Sequence, residues 1–127
     1  NGLKHIHFLG FRHDIPIILS ESDIVTLLSF REGLPRCLME AMASKKPLIV
    51  TNIRGSRDLV QHGGNGFVVD LGDDCALTES FVKLIREPSL REQMGQASFE
   101  RVQPYCLEHV LREMEDVYSR YVSWAKE

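Results

Sequence analysis

Two apolar runs limit the folds open to this chain more than any other feature: "DIVTLLS" at residues 23–29 and "PLIVT" at 47–51. A strand with one face in water alternates apolar and polar side chains. A strand apolar at nearly every position is covered on both faces. Between the runs lies "RCLMEAMASK" (36–45), built of strong helix formers. A buried strand, a helix and a second buried strand in succession describe a crossover between parallel neighbours. Pro47 fits this reading only as the first residue of its strand.

The remaining segments extend the same alternation. "HIHFLG" (5–10) alternates and ends in glycine, which predicts a short strand. "DIPIILSES" (14–22) predicts a helix with Asp14 as N-cap and Pro16 in the first turn. "FREGLP" (30–35) and "NIRG" (52–55) are loops. "SRDLVQH" (56–62) predicts a short helix capped by Ser56, "GGNG" (63–66) a tight turn needing positive φ, and "FVVDL" (67–71) another strand. Beyond residue 72 the chain reads as helical. One helix spans 73–87 from acidic caps. A second spans 89–102, with a Ser89/Glu92 capping box and Gly95 as a weak point. A third spans 107–127, with Leu107, Val110, Leu111, Met114, Val117, Tyr118, Tyr121 and Val122 at helical period. The expected fold is α/β: a parallel sheet of about four strands flanked by helices, with a helical C-terminus and right-handed crossovers.

Composition removes several classes of function. Of 127 residues, 43% are hydrophobic and 26% charged, as in an ordinary globular domain. The formal net charge of -3 argues against a nucleic-acid partner. No apolar run reaches the roughly 20 residues of a membrane-spanning helix, and "NGLKHIHFLG" lacks the basic and long apolar parts of a secretory signal. The three cysteines, 37, 75 and 106, have no metal-ligand spacing and read as free thiols of a reducing, cytoplasmic compartment. Cys37, near a helix start, is either a small buried side chain or an activated nucleophile. His5 and His7 share one face of the expected strand, but no acidic third ligand accompanies them, so no metal is expected. The first residue is Asn, which suggests a processed chain or a piece of a longer one.

Chemistry concentrates in "FREGLPRCLMEAMA" (30–43), where Glu32 and Glu40 have seven residues between them. In open α/β sheets ligands bind at the carboxyl ends of the strands, where this loop emerges. The helix starting near Pro35 aims free N–H groups and its positive dipole end into the crevice, which suits phosphate. Gly33 permits close approach of the backbone. Glu40 lies roughly 7.5 Å along the helix from Pro35 and leans back toward Arg36. Carboxylates on either side of an anion site accept hydroxyls, and a molecule with hydroxyls at both ends and phosphate between them is a nucleotide sugar. The plain alternative is a helix-start charge at Glu32 and an ordinary Arg36–Glu40 pair.

The segment "EGLPRCLMEAMASKKPLIVTNIRGSRDLVQHGGNGFVV" (32–69) resembles the E-x7-E region of retaining GT-B glycosyltransferases of the GT4 type. "FLGF", "SDIVTLLS" and "EPSLREQMGQASFERV" fit the same pattern. The resemblance implies that residues 1–127 form part of the C-terminal, Rossmann-like donor-binding domain of such an enzyme. It implies that Glu32 is the catalytic-centre residue, contacting donor-sugar hydroxyls and placing the anomeric carbon. Backbone around Gly33, Leu34, Pro35, Arg36 and Cys37 would hold the distal phosphate, and Glu40 the ribose hydroxyls. Phe11 and Arg12 would meet the nucleobase. Arg31 and Arg36 add charge near the pyrophosphate or simply face solvent. Asp58 stands where the family often has Glu, as a helix-start charge or a functional group. The donor is a nucleotide-diphosphate sugar, no cofactor or metal is implied, and the acceptor is a glycan or lipid. The parent enzyme is expected in the cytoplasm or peripherally at the inner membrane face.

Against that family pattern, the chain has no acceptor domain and no "G-R-aliphatic…K-G" segment with its pyrophosphate-binding Arg and Lys. The isolated chain is therefore expected to be inactive. Two strands that separate strand 5–9 from strand 24–28 in the order 3-2-1-4-5-6 are also missing. Strand 5–9 either moves in beside 24–28, or two chains pair their edges, or a longer chain supplies the gap. An exposed strand edge and the Tyr118, Tyr121 and Trp124 face of the last helix predict a homodimer or higher oligomer. The alternatives to an enzyme fragment are a self-associating remnant or a nucleotide-binding module; an epimerase of similar architecture lacks this Glu spacing.

Overall fold

In a computed structural model, residues 4–124 are described, with side chains to Val122. The elements are α1 (Ile15–Glu21), β1 (Val25–Leu27), α2 (Arg36–Ala43), β2 (Leu48–Thr51), α3 (Arg54–Leu59), β3 (Gly66–Val69), α4 (Asp74–Arg86), α5 (Pro88–Val102), a 3-10 turn (Gln103–Tyr105) and α6 (Leu107–Trp124). The described sheet has the order β1-β2-β3 and is wholly parallel. Its register sets Val25 beside Leu48 and Leu27 beside Val50; on the other side Val50 lies beside Val68.

The central strand explains why its sequence does not alternate. All four residues of β2 are buried. Leu48 and Val50 join Leu38, Ala41 and Met42 of α2 and Leu59 of α3. Ile49 points the other way, to Phe67, Leu84 of α4 and Met94 of α5. Helices therefore cover both faces, and each fully buried Leu, Ile or Met contributes about 1.5–3 kcal/mol. The buried stripe of α2 falls at i, i+3 and i+4, as its sequence requires.

Two side-chain devices organise the segments on either side of β3. Asp73 caps α4, accepting from the Ala76 N–H at 2.9 Å. The buried Asn65 organises the turn before β3: its Oδ1 accepts from Gln61 N–H at 2.8 Å and its amide donates to the Leu59 carbonyl at 3.2 Å. Within "GGNG" only Gly63 takes a positive φ, 76°.

Several expectations are corrected. Residues 5–10 form no strand; 4–5 are a turn and 6–10 have no regular structure. Phe8 is 96% exposed. Alternation makes a strand only where a ladder partner is available, and no described strand pairs with this segment, so the sheet has three strands where about four were expected. His5 and His7 consequently share no strand face. Asp14 accepts the first backbone bonds of α1 from Ile17 and Ile18, but its side chain is taken by Arg12. α3 starts at Arg54, not Ser56; Ser56 lies buried inside it with its hydroxyl unpartnered. α5 starts at Pro88, so the Ser89/Glu92 box does not form. Pro suits a first helical position, and Arg91 instead donates to the Leu84 and Ile85 carbonyls, closing the α4–α5 corner.

Gly95, expected as a weak point, is where α5 crosses the end of α2: a Cβ there would run into the Lys45 carbonyl. Its missing side chain is the condition for that crossing. α6 has its main contacts with the 3-10 turn and presents Val110, Leu111, Met114, Val117, Tyr118 and Tyr121 at 37–68% exposure. The side chain of Trp124 and residues 125–127 lie outside the described residues.

Candidate functional site

Because the three strands are parallel, the loops after β1, β2 and β3 emerge at one edge. The loop after β1 ends at the buried Pro35, which starts α2 with φ -71° and ψ 113°. The Leu38 and Met39 N–H groups bond the Pro35 carbonyl at 3.1 and 3.4 Å, and no side chain caps the helix. The N–H groups of Arg36 and Cys37 precede the first intrahelical bonds. This uncapped helix start has the donors and the dipole for an anion.

Glu32 sits just before it, half-buried and held. The Ser29 hydroxyl donates to Glu32 Oε1 at 2.7 Å, and the Thr51 hydroxyl at the end of β2 donates to the Ser29 carbonyl. The carboxylate orientation is thus referred back to the sheet. Among the described residues its second oxygen has no hydrogen-bond partner, and it can accept from a hydroxyl.

Gly55 joins the next loop to this one. A Cβ at Gly55 would overlap the Gly33 carbonyl and crowd the Glu32 carbonyl. Only glycine lets the first turn of α3 lie against residues 32–33. That approach makes a cavity of about 640 Å³ lined by Phe30, Arg31, Glu32, Gly33, Ile53, Arg54 and Asp58. Gly33 itself is unconstrained by the fold: its φ is not positive, and a Cβ there would touch nothing within 4 Å.

The other expected site residues divide into two groups. Leu34 is half-exposed and Pro35 buried at the entry of α2. Glu40 is exposed on α2, with Arg36 Nη2 3.9 Å from its Oε1, so the plain i,i+4 pairing is present in loose form. Cys37 is exposed, which corrects the reading of a small buried side chain, and its thiol, partly covered at the sulfur, is shifted away from activation as well. Burial of the sulfur raises its pKa most, and the charges of Glu32 and Glu40 raise it further, outweighing the lowering by backbone donors of Leu38 and Cys37. Phe11 and Arg12 lie outside the cavity. Arg12 forks onto Asp14 at 2.6 and 2.8 Å, and Phe11 meets the His13 ring edge-on at 4.8 Å.

Sequence reasoning missed Arg54, Phe30 and Ile53 as cavity residues and left Asp58 ambiguous. Their placement depends on the Gly55 contact, which has no local sequence signal beyond the glycine. Among the described residues no group of three His, Cys, Asp or Glu side chains is placed to hold a metal ion. No described helix is long and apolar enough to cross a membrane.

The chain belongs to the glycosyl transferases group 1 family, whose model matches residues 1–101. It is 33% identical over 118 residues to the putative glycosyltransferase EpsD of Bacillus subtilis, covering 93% of this chain. It is 37% identical over 93 residues, 72% of this chain, to the capsular polysaccharide biosynthesis glycosyltransferase CapM of Staphylococcus aureus. The chain spans 31% and 24% of the lengths of these two relatives. Among solved structures, Anabaena Alr3699/HepE in complex with UDP and glucose superposes with a TM-score of 0.86 at 26% identity, covering 93% of this chain and 33% of that one. The resemblance read from residues 32–69 is upheld at the level of family and fold.

Proposed function

We propose that this chain is the donor-binding part of a retaining, GT4-type glycosyltransferase. The whole protein would move a hexose from a nucleotide-diphosphate sugar to a glycan or lipid acceptor with its anomeric configuration kept. The observation that carries this is the uncapped start of α2 at the carboxyl edge of the sheet, with Glu32, fixed through Ser29, just before it and Glu40 one turn beyond Arg36 on the helix itself. Glu32 accepts sugar hydroxyls and sets the anomeric carbon. The backbone from Gly33 through Cys37 receives the distal phosphate, with Gly33 bare so that the ligand can approach. Glu40 accepts the ribose hydroxyls, and the exposed ring of Phe11 offers a stacking face for the base. The leaving diphosphate is stabilised by the α2 dipole and by cations. Arg36 stands at the first residue of α2. The complex of Alr3699/HepE with UDP and glucose supports this reading.

Since the chain spans only about a quarter to a third of its curated relatives, transfer is assigned to the whole protein and donor binding to these residues. The test is sugar transfer by the whole protein, followed by nucleotide release. Glu32→Gln is expected to lower kcat/KM by about a hundredfold or more, the loss of an interaction used in the transition state. Transfer at wild-type rate by Glu32→Gln would refute the assignment.

A further inference from the structure

The cavity beside Glu32 is lined by two arginines as well as two carboxylates. Arg31 and Arg54 both line it, and neither makes a hydrogen bond or ion pair among the described residues, although Glu32 and Asp58 line the same space. Arg54 directly precedes Gly55, whose packing on the Gly33 carbonyl fixes the start of α3 against the Glu32 loop. Arg31 adjoins Glu32 in the chain. The backbones that carry the two arginines therefore belong to two segments packed against each other. The residues from Leu34 to Cys37, where the diphosphate is proposed to sit, do not line this cavity.

We propose that Arg31 and Arg54 form an anion clamp for the sugar itself and select a donor whose sugar carries a carboxylate, a nucleoside-diphosphate hexuronate. Guanidinium forks match carboxylates in a planar, two-bonded geometry that a surface lysine does not reproduce. Glu32 and Asp58 supply acceptors for the hydroxyls of the same ring, and Phe30 and Ile53 supply apolar wall. The lining thus offers guanidinium donors for a carboxylate and carboxylate acceptors for hydroxyls, the two kinds of group a hexuronate ring presents. This inference rests on the reading that Glu32 meets the donor sugar.

The test is calorimetric titration of the chain with UDP, UDP-glucose and UDP-glucuronate, using wild type, Arg31→Gln and Arg54→Gln. UDP-glucuronate is expected to bind about tenfold tighter than UDP-glucose, and each substitution to erase that advantage while leaving UDP affinity within about twofold. Equal wild-type affinities for the two sugar nucleotides would overturn the clamp. So would a loss of UDP affinity in Arg54→Gln as large as the loss for UDP-glucuronate, which would assign the arginines to the diphosphate. If no uridine compound binds, the failure belongs to the nucleotide reading, and the clamp is then decided by NMR. Millimolar glucuronate, but not glucose, is expected to shift the side-chain Nε–H signals of Arg31 and Arg54; no difference between the two sugars overturns it.

Discussion

Glu32 takes its orientation from a hydroxyl three residues earlier in the chain and, through it, from the end of β2. Its charge is also felt at Cys37, where burial and the two carboxylates hold the thiol above its ordinary range. Thiolate is the reactive form, so the folded chain carries less of it at Cys37 than the unfolded chain at the same pH. Iodoacetamide at about pH 8 is expected to label Cys37 more slowly in the folded chain than in urea. Glu32→Gln removes one negative charge, lowers the thiol pKa and should speed labelling of the folded protein, read by mass spectrometry of the Cys37 peptide. Unchanged labelling in Glu32→Gln would show that the carboxylate does not face the helix start. At this scale the sequence was informative about the residues of the helix mouth, because Glu, Gly and Pro announce a loop opening a helix. It was silent on Arg54, since an arginine in a polar loop looks like any surface arginine until Gly55 brings its loop against residues 32–33.

The elements were legible where burial dictates them and misplaced where a tertiary contact does. β2 and α2 follow from an apolar run and from helix formers, whereas β1, expected as a strand buried on both faces over 23–29, is corrected: it spans only Val25–Leu27, with Thr26 exposed and its neighbours partly buried, as befits the edge of the described sheet. α3 was misplaced by two residues because Ser56 reads as a cap, whereas the close approach of Gly55 to Gly33 sets the true start. Residues 5–10 have strand-like alternation but no ladder. Gly55→Ala separates local propensity from this contact. In an isolated helix Ala is favoured over Gly by about 1 kcal/mol, but here the added methyl must displace the Gly33 carbonyl. The contact is expected to win, with a net loss of about 1–3 kcal/mol and a lower urea midpoint at unchanged m-value. Equal or greater stability in Gly55→Ala would mean that the two loops are not locked together.

As a whole molecule, the chain covers both faces of its central strand and leaves other apolar surface open. The described sheet ends at β1 on one side, and α6 presents a half-exposed stripe from Val110 to Tyr121. Such surfaces favour association. The chain is expected to sediment above its monomer mass at tens of micromolar, on the order of typical weak self-association. Val117→Glu with Tyr121→Glu is expected to restore the monomer if α6 is the contact. A wild-type monomer throughout that range would contradict this. The α/β architecture was readable because a doubly covered sheet leaves an unmistakable apolar imprint. The fate of the first strand was not, because pairing depends on neighbours that a single segment does not encode.

The central claim is that the start of α2, between Glu32 and Glu40, holds a nucleotide diphosphate. It is tested most directly by calorimetric titration of the chain with UDP, GDP and ADP, for wild type and Glu40→Ala. The account predicts that one of the three binds wild type and that Glu40→Ala weakens it by about tenfold or more, the worth of a charge-assisted hydrogen bond. No binding by any of the three, or equal affinity in Glu40→Ala, would contradict it.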